Sequence, residues 1–136
     1  MYLLDTNVIS ETRKPRPHGA VLAWLNVVRP EDLCLSAITL LELQQGAERT
    51  RRQNQTMAQR LDHWIASLTA TMAIVSADGD VCRETARIMV SKSPDLFQDA
   101  FIAATARVHH LTVVTRNVRD FAHFDVLTFN PFAYSH

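Results

Sequence analysis

The sequence has 136 residues, of which 47% are hydrophobic and 21% are charged, a composition typical of one globular domain that excludes a largely disordered chain. Its 14 Lys and Arg residues balance its 14 Asp and Glu residues, so no net field draws it to nucleic acid or to an anionic membrane. Three scattered glycines exclude a P-loop or a dinucleotide-binding loop, and the apolar runs are too short to span a bilayer, so we expect one soluble cytoplasmic domain over residues 1–136.

Short apolar runs alternate with segments of helical spacing along the whole chain. Five of the runs are too short for helices and are bounded by turn-forming residues, which favours buried strands. In chain order the pattern predicts a strand at 2–4, a helix through 21–28, a strand at 33–35, helices from 37 and from about 56, a strand at 73–75, a helix through 81–89, a helix from 93 to about 109, and strands at 111–115 and 126–129.

The alternation of strands with helices predicts the α/β class, with a parallel sheet covered on both faces. Asp5 and Ser36 are expected to cap the helices that follow the first two strands, and Ser93 is expected to cap the helix that begins at Pro94. Cys34 and Cys82 lie far apart in apolar stretches, so we expect two buried free thiols in a reducing compartment. Functional groups of such folds collect beyond the carboxyl ends of the strands.

Four acidic residues are candidates for a site at that edge of the sheet. Asp5 follows the first strand, Asp120 follows the strand richest in β-branched residues, and Glu42 lies opposite the apolar stripe of its helix. Each of these three alone is most simply a cap, a turn residue or an exposed glutamate. Asp99 lies on a helix that is apolar on every side, where an unpaired carboxylate would cost several kcal/mol of desolvation. Asp99 therefore needs a cation or a proton.

Carboxylates gathered at one edge repel each other unless a hard divalent cation holds them. Oxygen ligands without His or Cys nearby select Mg²⁺ or Mn²⁺ over zinc or copper. The sequence therefore predicts a metal site of Asp5, Glu42, Asp99 and Asp120, with chemistry on phosphate esters.

Four segments of the chain resemble the motifs of PIN-domain ribonucleases in order and spacing, and most resemble the VapC and FitB type toxins of bacterial toxin-antitoxin pairs. The similarity runs from Met1 to about Phe132. The four segments are Leu4-Asp5-Thr6-Asn7-Val8-Ile9-Ser10, Leu35-Ser36-Ala37-Ile38-Thr39-Leu40-Leu41-Glu42-Leu43, Gln98-Asp99-Ala100-Phe101-Ile102-Ala103-Ala104-Thr105-Ala106 and Val114-Thr115-Arg116-Asn117-Val118-Arg119-Asp120-Phe121.

The resemblance implies a three-layer α/β/α fold, a central parallel sheet of about five strands, and an endoribonuclease whose Mg²⁺ or Mn²⁺ activates water and leaves 5′-phosphate and 3′-hydroxyl ends. It also implies a cognate antitoxin and a homodimer, which could join a larger toxin-antitoxin assembly. The family's acidic core corresponds to Asp5, Glu42 and Asp99, its more variable fourth acid to Asp120, and its supporting polar positions to Thr6, Thr115 and Asn117. One departure is the stretch 92–97, which lacks the glycine-containing loop usual before the third acid.

Because the net charge is zero, RNA must be held by local basic groups. Arg116 and Arg119 flank the fourth motif, and Arg13 and Lys14 follow the first strand, so we expect these four to contact RNA. A cluster of arginines over 49–60, opposed in sequence only by Glu48, is equally well interpreted as an RNA contact or as a solvated helix face.

Two other functions remain open at this point. A phosphatase that forms an aspartyl-phosphate also begins with an Asp after the first strand and uses Mg²⁺, but it needs a second Asp two residues later, where this chain has Asn7. A non-catalytic RNA-binding module could keep the fold, although it would have no physical reason to hold four repelling carboxylates together.

Overall fold

A computed structural model describes residues 1–135 and contains a five-stranded, all-parallel sheet with helices on both faces. The strands are β1 (Tyr2–Leu4), β2 (Leu33–Ser36), β3 (Ala73–Val75), β4 (Thr112–Val114) and β5 (Thr128–Phe129). The α-helices are α1 (Thr6–Ile9), α2 (Gly19–Val27), α3 (Ala37–Arg51), α4 (Gln55–Thr71), α5 (Gly79–Ile88), α6 (Phe97–His109) and α7 (Val118–Phe121).

The strand order β3-β2-β1-β4-β5 places the N-terminal strand in the centre of the sheet. Tyr2 is in register with Leu33 of β2 on one side and with Thr112 of β4 on the other. Because all the strands run the same way, the carboxyl ends of β1, β2 and β4 lie at one edge of the sheet. Asp5, Ser36 and Thr115 are therefore brought to the same end of the sheet from distant parts of the chain.

Alternate strand residues bury against opposite helical layers, which produces the three-layer α/β/α arrangement. Leu4 faces a cluster that includes Trp24 of α2 and Ile65 of α4. Leu3, one residue earlier, faces the cluster built on α6, including Ile102 and Ala103. Near-continuous apolar strands are what a sheet covered on both faces requires. The predicted α/β/α fold with a parallel sheet of five strands is confirmed.

Three details of the sequence prediction are wrong. Ser93 does not cap α6, because a 3₁₀ turn (Pro94–Leu96) intervenes and the Ser93 hydroxyl donates to Asp95 instead. Cys82 is exposed on α5, and only Cys34 is a buried thiol. The strand predicted at 111–115 spans only Thr112–Val114, and the strand predicted at 126–129 spans only Thr128–Phe129.

The predicted helix starts at Asp5 and Ser36 are both present. Asp5 accepts a hydrogen bond from the Thr6 backbone N–H at 2.8 Å, and the Ser36 hydroxyl accepts one from the Ile38 N–H at 3.1 Å. No helix within residues 1–135 combines the length and the apolar character needed to cross a membrane.

Candidate active site

Asp5 lies at the carboxyl end of the central strand and is held in place by three hydrogen bonds. Its Oδ1 accepts from the Thr6 N–H, and its Oδ2 accepts from the Thr115 hydroxyl at 2.8 Å and from the Asn7 amide at 3.2 Å. The residue is 6% exposed, so burial raises the pKa of the carboxyl. The hydrogen bonds from Thr115, Thr6 and Asn7 oppose that rise, while the negative charge of Asp120 adds to it.

Glu42 reaches the same edge from the second turn of α3, which begins at the end of β2. Its half-buried carboxyl has a pKa raised to about 6, first by desolvation and then by the charges of Asp5 and Asp99. The Thr6 hydroxyl lies near enough to lower this pKa slightly, yet it is buried without a hydrogen-bond partner of ordinary geometry. A buried hydroxyl in that state is a group that a ligand at the site could satisfy.

Asp99 projects from the first turn of α6, immediately before seven consecutive buried residues. Desolvation, followed by the charges of Asp5 and Asp120, raises the pKa of its carboxyl to about 6. The helix is buried on every side, as its apolar pattern predicts, but no arginine or lysine acts on this carboxyl. Asp99 is thus a partly buried acid, and the charged groups that shift its pKa are other acids.

Asp120 is exposed on the short helix α7, beyond β4. Its segment is anchored by Arg107 of α6, which donates to the carbonyls of Phe124 at 3.0 Å and Asp125 at 2.9 Å. Arg107 is itself paired with Glu84 of α5 at 2.9 Å. This anchor, which nothing in the motif pattern reveals, restrains the segment that directly follows the helix of the fourth acid.

The structure therefore brings the four acids together from four separate parts of the chain, near enough that charges among them raise the pKa values of Asp5, Glu42 and Asp99. Within residues 1–135 no three His, Cys, Asp or Glu side chains are grouped tightly enough to form a ready-made ligand cage. The donor set nevertheless fits a hard divalent cation, because it offers carboxylate and hydroxyl oxygens that would be relieved of mutual repulsion. Such a cation suits the site better than zinc, which prefers nitrogen and sulfur.

The supporting polar residues tie the first and fourth motifs together. The Thr115 hydroxyl donates to Asp5 and accepts from the Asn117 backbone N–H at 3.0 Å. Asn7, which sequence reasoning did not assign a role, donates to Asp5 and accepts from the Arg116 backbone N–H at 3.2 Å. Its place in the first motif, two residues after the acid, was the available signal. Asn7 also occupies the position where an aspartyl-phosphate phosphatase needs a second acid.

The predicted basic contacts divide into two kinds. Arg119 and Arg116 are exposed beside the acids, and the Arg116 guanidinium lies 4.4 Å from the centre of the Phe132 ring. Arg13 is likewise exposed and lies 5.8 Å from the centre of the Trp64 ring. The charge of Lys14, in contrast, pairs with Glu11, a 4% exposed carboxylate that the sequence analysis missed.

The arginine cluster over 49–60 is less available than its sequence suggests. Arg51 donates to both carboxylate oxygens of Asp62 at 2.9 Å and also pairs with Glu48. Glu48 is therefore not the only acid against this cluster, because α4 supplies a second one. The bidentate pair joins α3 to α4 and takes Arg51 out of the set of free cations.

Comparison with known proteins agrees with this architecture. A model of the PIN domain family matches residues 2–127. The chain belongs to the PIN domain family. Within it, the chain is 39% identical to toxin FitB of Neisseria gonorrhoeae, with 96% of this chain and 98% of the relative covered. It is 37% identical to VapC ribonuclease Y4jK of Sinorhizobium fredii, over 96% of this chain and 97% of the relative.

A solved structure of FitAB bound to an IR36 DNA fragment has a chain that superimposes with a TM-score of 0.80 at 36% identity, covering 100% of this chain and 99% of that one. The resemblance of this PIN domain to VapC and FitB type toxins, first indicated by its four motifs, is confirmed. The match extends across the sheet and across every segment that contributes an acid.

Proposed function

We propose that this PIN domain is a divalent-metal-dependent endoribonuclease that acts as the toxin of a type II toxin-antitoxin pair in the cytoplasm. The observation that carries the proposal is the convergence of Asp5, Glu42, Asp99 and Asp120 from four separate parts of the chain, with raised pKa values at the buried acids. The names of the relatives, a toxin and a VapC ribonuclease, support the same activity.

In the proposed site, Asp5 and Asp99 would hold Mg²⁺ or Mn²⁺ directly, and Glu42 and Asp120 would complete the shell or hold its waters. The bound cation supplies a water acidified toward neutrality and neutralises charge on the phosphodiester. Thr115 and Asn7 fix the orientation of Asp5 by donating to its Oδ2. Its Oδ1 accepts one hydrogen bond, from the Thr6 N–H, and keeps a lone pair for the cation. Glu42, whose pKa lies near 6, is suited to accept a proton from an attacking water at neutral pH.

RNA would approach between two exposed cations, Arg116 and Arg13, that lie over aromatic rings. A guanidinium held against a ring loses less conformational freedom when it meets a phosphate. Arg119 would add a third contact to RNA. The charge of Lys14 is paired with Glu11, so Lys14 would contribute less to RNA binding. The proposed cuts leave 5′-phosphate and 3′-hydroxyl ends.

The purified chain is expected to cut RNA with Mg²⁺ or Mn²⁺ and to lose that activity in EDTA. A generic phosphomonoester, tested under the same conditions, should not be hydrolysed, because Asn7 donates to Asp5 and carries no acid for phosphoenzyme turnover. Both reactions are measured side by side, with RNA ends identified by sequencing. Hydrolysis of the monoester alone would favour a phosphatase, and tight RNA binding without cleavage would favour a non-catalytic module.

Expression of the chain alone is expected to arrest bacterial growth, and co-expression of a neighbouring antitoxin gene should restore it. An antitoxin Arg or Lys can enter the acidic site and take the place of the cation, since four carboxylates favour any positive group. We expect the free toxin to be a homodimer by light scattering and to form a larger assembly with the antitoxin. Asp5→Asn should remove the growth arrest, and a chain that is monomeric and harmless alone would contradict the toxin assignment.

A further inference from the structure

A small cavity of about 210 Å³ opens beside the acidic site, between α1, α3 and α4. Glu42 and Thr6 line it, so it is continuous with the proposed catalytic centre. Trp64 and Arg13 also line it, and the side chains of Ser10 and Thr50 add hydroxyl groups. We call this space the side cavity. Its volume equals that of about seven liquid-water molecules, which suits one planar ring and not a longer segment.

The aromatic wall of the side cavity is held in a fixed orientation. The Trp64 indole N–H donates to the Thr12 hydroxyl at 3.0 Å, and that hydroxyl donates to the Ile9 carbonyl at 2.7 Å. The Arg13 guanidinium lies 5.8 Å from the centre of the same ring. An indole fixed in this way is a stacking surface, and a guanidinium plane near it can stack on the same ligand.

The polar groups of the side cavity suit a ring with hydrogen-bonding edges. The Thr6 hydroxyl is buried without a hydrogen-bond partner of ordinary geometry. Ser10 and Thr50 line the same space, and a hydroxyl can either donate or accept. A purely apolar occupant would leave these groups unsatisfied, whereas the edge of a nucleobase offers both donors and acceptors.

We propose that the side cavity binds one unpaired nucleobase of the RNA substrate, next to the phosphate that the acidic site attacks. The base stacks on Trp64, its edge meets the hydroxyls, and Arg13 closes the mouth against the adjoining backbone. A paired base cannot enter, because its hydrogen-bonding edge is occupied and its faces are stacked in the helix. The cavity would thus make cleavage depend on the identity of one base at a fixed distance from the cut. This inference rests on the proposed ribonuclease function.

Gly46 supplies a way to fill the side cavity without replacing any of the acids or Trp64. It lines the cavity from α3, and a Cβ built there meets no atom within 4 Å. A leucine at this position would extend into the open space, and replacing a helical glycine does not weaken the helix itself. Gln45→Leu is the matched control, because it adds the same side chain to the same helix at a residue that does not line the cavity.

The test measures binding first, with short homopolymeric oligoribonucleotides of each base and the Asp99→Asn protein, which we expect not to consume them. One base should quench tryptophan fluorescence, and Trp64→Phe should remove the quenching because the other indole, Trp24, is 4% exposed. Gly46→Leu should weaken binding of that oligonucleotide roughly 10-fold or more, the usual effect of losing a stacked base. Gln45→Leu should leave binding unchanged.

The second arm sequences the RNA ends produced by proteins with all four acids intact. The unmodified chain should show one preferred base at a fixed position, and Gly46→Leu should cut with that preference flattened. Thr50→Val keeps the shape of the side chain but removes its hydroxyl, so it should change the preferred base or weaken the preference. It replaces Gly46→Leu as the test if that variant does not fold. Unchanged binding and unchanged preference in both variants would overturn the proposal.

Two further outcomes separate the hypotheses. A chain that binds and quenches with one base but cuts no RNA would refute the ribonuclease function and leave the side cavity as a base-binding pocket. Oligonucleotides that never quench Trp64, together with a Gly46→Leu toxin that the antitoxin no longer neutralises, would assign the cavity to a side chain of the partner and overturn the proposal.

Discussion

Asp5→Asn is expected to lower RNA cleavage by roughly 100-fold or more while leaving the fold intact, because the amide has nearly the same shape but cannot serve as a charged ligand to Mg²⁺. The Asn oxygen can take the place of Oδ1 and accept from the Thr6 N–H, while its NH2 group, in the place of Oδ2, can donate to the Thr115 hydroxyl, so the turn after β1 should survive. The measurement is the cleavage rate at saturating metal, with circular dichroism to confirm the fold.

Asp99→Asn is expected to cause a similar loss, and Asp120→Asn a smaller one of about 10-fold, because Asp120 is exposed and lies at the rim of the site. Asp80→Asn is the matched control, since Asp80 is a surface carboxylate paired with Arg83 on α5. Full activity in purified Asp5→Asn or Asp99→Asn protein would refute the assignment of the acids. An equal loss for Asp120→Asn would show that the four acids are ranked wrongly.

In EDTA at neutral pH, Asp99→Asn is expected to melt at the same temperature as the unmodified protein or a few degrees above it. Folding raises the pKa of Asp99 from 3.8 to about 6, so at pH 7 the carboxyl is ionised in both states but its charged form is disfavoured in the folded one. The unmodified protein is therefore penalised above pH 6, by about 1 to 2 kcal/mol after allowance for solvent screening of a partly exposed group. The asparagine variant does not titrate and escapes this penalty.

Adding metal should reverse this order of melting temperatures, so that the unmodified protein melts above the Asp99→Asn variant. Mg²⁺ or Mn²⁺ at about ten to a hundred times its dissociation constant stabilises the intact site by about 1 to 3 kcal/mol, which is a few degrees for a domain of this size. We expect the intact protein to gain that shift and the Asp99→Asn variant to lose most of it. Parallel losses of melting temperature in EDTA and in metal would instead indicate that Asp99 only supports the helix.

The pH dependence gives an independent check on the same prediction. The stability of the metal-free protein should rise as the pH falls from 7 to about 5, because Asp99 and Glu42, both with a pKa of about 6, then take up protons in the native state. Carboxyls such as Glu84, whose pKa is lowered by its bonds to Arg107 and Arg87, lose their contribution only below the ordinary value of 4.5. Thermal melts from pH 7 to well below 4.5 separate the two windows.

Much of the fold was predictable because each local signal agrees with the tertiary arrangement. Three-residue apolar runs such as 2–4 and 73–75 can only be strands at that length, and their continuous apolar character implied helices on both faces. Asp5 was identifiable because it closes a buried run, and Asp99 because a carboxylate is out of place among seven buried neighbours. Both inferences used the cost of burying charge.

The remaining features depend on contacts between residues that no short-range pattern relates. Arg107 donates to the carbonyls of Phe124 and Asp125, which lie 17 and 18 residues later in the chain, and the sequence around Arg107 does not indicate this contact. Arg51 is removed from the free cations by Asp62, which lies on the next helix. Ser93 does not cap α6 because its hydroxyl donates to Asp95, which lies nearer than the backbone of α6.

The central position of β1 also determines when during synthesis the proposed catalytic centre can form. The Asp5 backbone N–H bonds to the Val114 carbonyl at 2.9 Å, and its carboxylate takes a hydrogen bond from Thr115, 110 positions later in the chain. At about 5 to 20 residues per second, the ribosome adds β4 several seconds after the first acid. A nascent chain that has not yet released β4 lacks the Thr115 hydrogen bond to Asp5, so the proposed catalytic centre cannot form before that strand has left the ribosome.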